Sequence, residues 1–150
     1  MSNSIETVIN KYGFYSGNIF GDSMFPLLKN KTDVVYLEKP SENYVPKKYD
    51  IILYRRNSGQ LVLHRIVNVS GEQLVICGDG ETTKEYGVTK EQIIAVLTKY
   101  YRGEKPCTID GFFYRLYSKY WCATFFTRKF KLKILKFINR LLGYMKNGRR

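Results

Sequence analysis

Ser23 is the side chain of this sequence that is best placed to act as a nucleophile. It lies in residues 21–28 (GDSMFPLL), between a glycine and a proline and directly after an apolar segment, residues 17–20. Glycine lets the backbone approach a ligand closely, and proline fixes the chain just past the hydroxyl. We therefore expect Ser23 to meet a substrate carbonyl. The alternative is a turn or N-cap serine, with Pro26 tolerated in the first helical turn.

His64, the only histidine, is the candidate base. It lies in an aliphatic segment, residues 61–67, that follows a turn signal at residues 57–59 and therefore predicts a strand with a buried face. The two-residue alternation of a strand puts Val62, His64 and Ile66 on one face. A serine needs an adjacent base, and imidazole, with an ordinary pKa of about 6.5, is mostly neutral at pH 7. The alternative is a core histidine bonded to a backbone carbonyl.

A carboxylate would complete such a pair, because it holds the imidazole in one tautomer and stabilises the imidazolium. Asp79 lies in a Gly-Asp-Gly turn after a predicted strand, and Glu85 lies six residues later. Asp79 is the preferred site-supporting residue, with a simple turn aspartate as its alternative. Glu85 remains the possible triad acid, so the third member is left open between the two.

The ordered set of these segments resembles the signal peptidase I and SOS-repressor serine peptidases. Their nucleophile motif is Ser-x-x-Pro-Leu with methionine after the serine, which Ser23, Met24, Pro26 and Leu27 match. Residues 49–54 (YDIILY), 64–66 (HRI) and 78–80 (GDG) follow in the family's order and at similar spacing. Histidine followed by arginine is similar to the branch that contains the endoplasmic-reticulum and archaeal signal peptidases. The resemblance covers roughly residues 20–98.

The resemblance implies a coiled antiparallel β-sheet peptidase domain with a Ser23–His64 catalytic pair and no cofactor. It also implies a substrate bound as an extended strand, with small residues one and three places before the cut. Gly21 stands where some members carry a hydroxyl that donates to the oxyanion. The oxyanion hole would therefore depend on backbone N–H groups, that of Ser23 first. Gly80 replaces the family's asparagine, and Glu85 stands near the position of its aspartate.

The chain of 150 residues is long enough for one domain with a proper core. Apolar residues at 5, 8, 9 and 12 predict a short helix over about residues 4–12. Strands are expected at residues 14–15, 17–20, 33–38, 50–55, 61–69, 73–77 and 93–100. Turn signals separate them, so the sequence predicts a mainly β, mostly antiparallel domain over residues 1–106.

Cysteine usage bears on metals and compartment. Cys77, Cys107 and Cys122 are widely spaced without a Cys-x-x-Cys pair, which disfavours a structural zinc site. An odd number of cysteines without a visible secretory signal favours free thiols in a reducing compartment. We therefore expect no metal and a cytoplasmic location.

Positive charge is concentrated in the last third of the chain. The net charge is +12, yet residues 1–100 hold 12 Lys/Arg and 11 Asp/Glu, whereas residues 101–150 hold 13 and 2. Residues 107–150 form a basic, aromatic, amphipathic tail. Within it, residues 128–146 predict a helix with an apolar face and a basic face. Neither tail segment has about 18 uninterrupted apolar residues, so we expect no spanning helix.

The tail predicts a partner with negative charge. An anionic membrane surface, bound through residues 111–150, suits the two faces, with Tyr117, Tyr120 and Trp121 in the headgroup layer. We expect the protein to be peripheral at that membrane. One alternative is a helical hairpin packed on the domain with a solvated basic face. Nucleic acid is the weaker alternative, because no recognised reading motif accompanies the tail.

Together these features predict a serine endopeptidase that removes a leader or signal segment. The 22 residues before Ser23 are not membrane-like, which disfavours a housekeeping secretory signal peptidase and favours a dedicated processing enzyme at the cytoplasmic face. A self-cleaving repressor would need an upstream DNA-binding domain and a cleavable linker. The competing class is a binding module: the same β fold with weak catalysis, using its tail to bind nucleic acid or anionic lipid.

Overall fold

The computed structural model describes residues 2–147 and contains, within that range, three α-helices and eight strands. The helices are α1 (Ser2–Tyr12), α2 (Phe112–Ala123) and α3 (Arg128–Asn147). The strands are β1 (Phe14–Asn18), β2 (Asp33–Glu38), β3 (Ile51–Arg55), β4 (Leu61–Ser70), β5 (Gln73–Cys77), β6 (Glu85–Thr89), β7 (Ile93–Arg102) and β8 (Lys105–Thr108). Short 3₁₀ turns cover Lys90–Gln92 and Phe125–Thr127.

The strands form one open antiparallel sheet in the order β1-β2-β7-β3-β4-β5-β6. β7 lies between β2 on one side and two shorter strands on the other. Its first half pairs with β3, as in Ile52 opposite Val96, and its second half pairs with β8, as in Lys99 opposite Thr108. The expectation of a mainly β, antiparallel fold is confirmed.

Apolar side chains pack on both faces of the sheet, because alternate residues of β3 point in opposite directions. One core contains Ile51 and Leu53 together with α1 and the segment that follows Ser23. The other contains Ile52 and Tyr54 with residues of β4, β5 and β6. The central strand is therefore buried on both sides, which makes it a rigid base for the loops around it.

Most predicted elements occur with small changes of boundary. The helix expected at residues 4–12 is α1, and the two strands expected at 14–15 and 17–20 form the single strand β1. Phe20 lies beyond that strand and is 77% exposed. β6 and β8 were missed, since β6 contains Gly87 and β8 contains Pro106, which sequence patterns count against a strand. β8 tolerates the proline because it pairs with β7 alone.

The C-terminal tail is helical, and its first helix packs on the domain. The boundary expected between residues 106 and 107 falls inside β8. The headgroup position expected for Trp121 is wrong: this residue is 4% exposed, and its indole Nε1 donates to the Asp79 carbonyl at 3.1 Å. The Tyr117 hydroxyl also donates to Asp79, whereas Tyr120 is exposed. No helix within residues 2–147 is both long and apolar enough to cross a membrane.

Candidate active site

Ser23, His64 and Glu85 line the same cavity, which has a volume of about 750 Å³. Arg56 and Glu81 also line it. Its other walls are mainly apolar and come from α1, from β1 to β4 and from the segment between β1 and β2. The structure thus brings together three of the four residues predicted to be catalytic. Asp79, the fourth, does not line this cavity.

Ser23 is held in a tight turn that begins at Gly21. Gly21 has a φ of +96°, which favours glycine, and its N–H donates to Asn30 Oδ1 at 3.2 Å. The Phe25 N–H donates to the Asp22 carbonyl at 3.1 Å, and Met24 is buried in the core. These turn bonds do not use the Ser23 N–H, which is the group expected to stabilise an oxyanion. That role stays a prediction.

Residues 78–80 (GDG) pack against this turn and hydrogen-bond to it. The Gly80 N–H donates to the Ser23 carbonyl at 2.7 Å. A Cβ on Gly78 would lie 2.4 Å from the Ser23 carbonyl oxygen and 2.9 Å from His64 Nε2. A Cβ on Gly80 would lie 2.1 Å from the Asp22 carbonyl oxygen, so asparagine does not fit there without a shift of the backbone. Gly78 therefore allows the serine turn and the histidine to approach one another, and Gly80 allows the turn to pack closely on residues 78–80.

His64 lies on β4 opposite Ile52, on the same sheet face as Tyr54, and is 3% exposed. Its Nε2 faces Gly78, and its Nδ1 lies 3.3 Å from Glu85 Oε1. His64 Nδ1 and Glu85 Oε1 are close enough to interact electrostatically, but they are not aligned for a hydrogen bond. Burial lowers the pKa of His64, and the Glu85 carboxylate opposes that effect in part. A lowered pKa keeps the imidazole neutral near pH 7, as a base requires.

Arg56 orients Glu85. Its Nε donates to Glu85 Oε2 at 2.8 Å, and its Nη2 bonds Oε1. The hydrogen bonds from Arg56 lower the pKa of Glu85, so this carboxylate is charged at neutral pH. Burial and the charge of Glu85 raise the pKa of the neighbouring Tyr54 hydroxyl. Glu85 is therefore an oriented anion beside the His64 ring. This placement favours Glu85 over Asp79 as the third member of the proposed catalytic triad, after Ser23 and His64.

Asp79 forms a buried ion pair with Arg65. Arg65 Nε and Nη2 each donate to the Asp79 carboxylate at 2.8 Å, and both side chains are fully buried. The remaining donors of Arg65 reach the Tyr49 carbonyl and the hydroxyls of Tyr114 and Ser118 on α2. Burial opposes the charge on Arg65, but Asp79 outweighs it and raises the pKa of Arg65. Asp79 thus fixes the turn that supports Ser23.

Arg128, the first residue of α3, is a site-supporting residue that the sequence did not reveal. It is 1% exposed, and its Nη1 lies 3.2 Å from the Gly78 carbonyl and 3.3 Å from the Glu81 carbonyl. It also contacts Cys77 Sγ, whose pKa burial raises to about 11, so that this thiol is protonated. The basic residues that follow Arg128 on α3 are mostly exposed, and nothing in its residue type sets it apart from them.

Comparison with protein-family models gives no match, and a search of curated proteins gives none either. Among the described residues, no group of three or more His, Cys, Asp and Glu side chains is arranged to hold a metal ion. The functional interpretation therefore depends on the geometry of Ser23, His64 and Glu85.

Proposed function

We propose that this protein is a serine endopeptidase of the signal peptidase-like class, which removes a leader or signal segment from a peptide or protein. One observation carries the proposal. The buried imidazole of His64 has a charged carboxylate next to Nδ1, and its Nε2 faces the glycine against which the Ser23 turn packs. In this proposal Ser23 is the nucleophile, His64 the base and Glu85 the orienting acid, which are the roles that hydrolysis by a serine peptidase requires.

The reaction proceeds through an acyl-enzyme. His64 Nε2 takes the proton from Ser23 Oγ as the oxygen attacks the scissile carbonyl, and the Ser23 N–H donates to the resulting oxyanion. His64 then gives its proton to the leaving amine, and the C–N bond breaks. Water attacks the ester with His64 again as base, which releases the acid product and restores Ser23. Glu85 stabilises the imidazolium that forms in both halves of the reaction.

The cavity favours an extended substrate with apolar side chains beside the scissile bond. Leu37, Leu53, Leu61 and Leu63 line its walls, and its volume lies within the ordinary range of ligand sites, about 300–1,000 Å³. Backbone hydrogen bonds to a strand-like substrate supply affinity, and the apolar walls supply specificity. The requirement for small residues before the cut, which the resemblance implies, belongs to the same proposal.

A peptide library with mass-spectrometric detection of the products tests the proposal. The purified protein is incubated with the library in parallel with the Ser23→Ala variant and with Ser58→Ala, which changes an exposed turn serine as a matched control. New fragments are expected with the unmodified protein and with Ser58→Ala, and none with Ser23→Ala. The proposal fails if Ser23→Ala gives the same fragments, or if the folded, unmodified protein cleaves no peptide.

A binding module without effective catalysis is the second candidate function. The exposed apolar and basic surface of α3, which the hydrolytic mechanism does not use, favours it. Ligand binding that Ser23→Ala leaves unchanged, together with an absence of cleavage, distinguishes this candidate from the first.

A further inference from the structure

Within residues 128–142, the part of α3 whose side chains the structure describes, only the first turns pack on the domain. Arg128 and Leu132 are buried there, and Lys131 and Leu135 are half-buried. From Lys136 to Leu142 every residue is exposed. A helix that does not pack its apolar side chains on its own domain gains little stability from tertiary contacts. The apolar side chains of this part of α3 are therefore open to solvent and available for binding.

The exposed apolar side chains of α3 share one side of the helix, because they are spaced three and four residues apart. They form what we call the α3 face: Phe130, Ile134, Phe137, Ile138, Leu141 and Leu142. Phe130 is 70% exposed and Phe137 is 60% exposed. Phe112, Phe113 and Leu116 of α2 and Phe126 of the connecting turn are also exposed. Contiguous apolar surface of this kind is rare on monomers and marks an interaction site.

The charges beside the α3 face select among possible partners. Lys129, Lys133, Lys136 and Arg140 are exposed on the adjoining side of the helix, and residues 111–150 contain no Asp or Glu. A second copy of this chain would bring like charges together. Nucleic acid would neutralise the cations but would leave the aliphatic side chains without contacts. An anionic bilayer supplies both phosphate groups for the cations and an acyl region for the apolar residues.

We propose that the α3 face binds the surface of an anionic phospholipid membrane. α3 lies in the plane of the interface, with its phenylalanines and aliphatic residues between the acyl chains and its lysines at the lipid phosphates. Arg128 ties the membrane-bound helix to the turn at residues 77–81. This inference does not depend on the proposed hydrolysis, since it uses side chains that do not line the cavity.

Vesicle flotation with the full chain tests this inference. The protein is expected to float with vesicles that contain about one-third phosphatidylserine, to float poorly with pure phosphatidylcholine vesicles, and to dissociate in 0.5 M NaCl. Each exposed cation contributes about five-fold in partitioning. The double variant Lys133→Gln/Lys136→Gln is therefore expected to bind about 25-fold more weakly. The pair Lys47→Gln/Lys105→Gln, which changes exposed lysines elsewhere, serves as the charge control.

The apolar contribution is tested separately with Phe137→Ser/Ile138→Ser. The control is Val45→Ser/Tyr86→Ser, at exposed apolar positions outside the tail. The first pair is expected to abolish flotation and the second to leave it unchanged, with the melting temperature of both close to that of the parent. Three results overturn the inference: no flotation, equal flotation with neutral and anionic vesicles, or a concentration-dependent dimer that the Phe137→Ser/Ile138→Ser change dissociates.

Discussion

The buried ion pair between Arg65 and Asp79 makes a quantitative prediction. Asp79→Asn keeps the shape of the side chain but leaves the Arg65 cation, which is completely buried, without its counter-ion. Removing one partner of a buried pair costs about 3–5 kcal/mol. In a domain of this size each kcal/mol corresponds to roughly 2–4 °C. We therefore expect the melting temperature to fall by roughly 6–20 °C.

Thermal and urea unfolding followed by circular dichroism measure this loss. A double-mutant cycle with Arg65→Met, Asp79→Leu and the combined variant isolates the pairwise interaction. The combined variant is expected to be more stable than the sum of the single losses implies, because no charge is then buried without a partner. Glu6→Gln serves as the comparison, since the Arg55–Glu6 pair is partly exposed and contributes at most about 1 kcal/mol. Additive single losses, or a loss of under 1 kcal/mol for Asp79→Asn, would refute the reasoning.

Three further predictions concern the site and are measured as cleavage of the best library peptide. Because burial lowers the pKa of His64, kcat/KM is expected to rise with pH to a plateau with its midpoint below 6.5; a midpoint above 7 contradicts this. Glu85→Gln removes the carboxylate that raises the pKa of His64, so the midpoint moves lower still, and kcat falls at least ten-fold; an unchanged profile excludes Glu85 as the orienting acid. Gly78→Ala puts a methyl group 2.4 Å from the Ser23 carbonyl oxygen, and the resulting displacement of the serine turn is expected to lower kcat roughly 100-fold. The control is Gly111→Ala, where the nearest atom would lie 3.3 Å from the new methyl group, and this variant is expected to retain activity.

The sequence was most informative where apolar alternation is strong. β2, β4 and β5 follow from runs of branched residues, and α3 follows from its periodic apolar and basic positions. The sequence singled out Ser23 and His64, because a serine two residues after a glycine and a lone histidine in an aliphatic segment are recognisable types, and both residues line one cavity. The third member could not be chosen, since that choice depends on β6. Without this strand, Glu85 has no defined distance from β4.

Strand pairing explains the position of Glu85 once β6 is present. Glu85 pairs with Ile76 on β5, and Ile76 pairs with Ile66 on β4. Paired residues share a sheet face, and Ile66 lies two residues from His64, so all four side chains are on the same side. The contact between Glu85 and the imidazole is therefore a consequence of register across three strands. No local sequence pattern carries that information.

The same alternation gives the two residues His64 and Arg65 opposite roles. His64 faces the cavity, whereas Arg65 points to the other side of the sheet, where it binds Asp79 and the hydroxyls of α2. Asp79 lies between the two glycines that contact the Ser23 turn. One strand thus positions the proposed base directly and, through Arg65 and Asp79, the turn that carries the proposed nucleophile. A shift of β4 by one residue would exchange the two side chains and disrupt both halves of the site together.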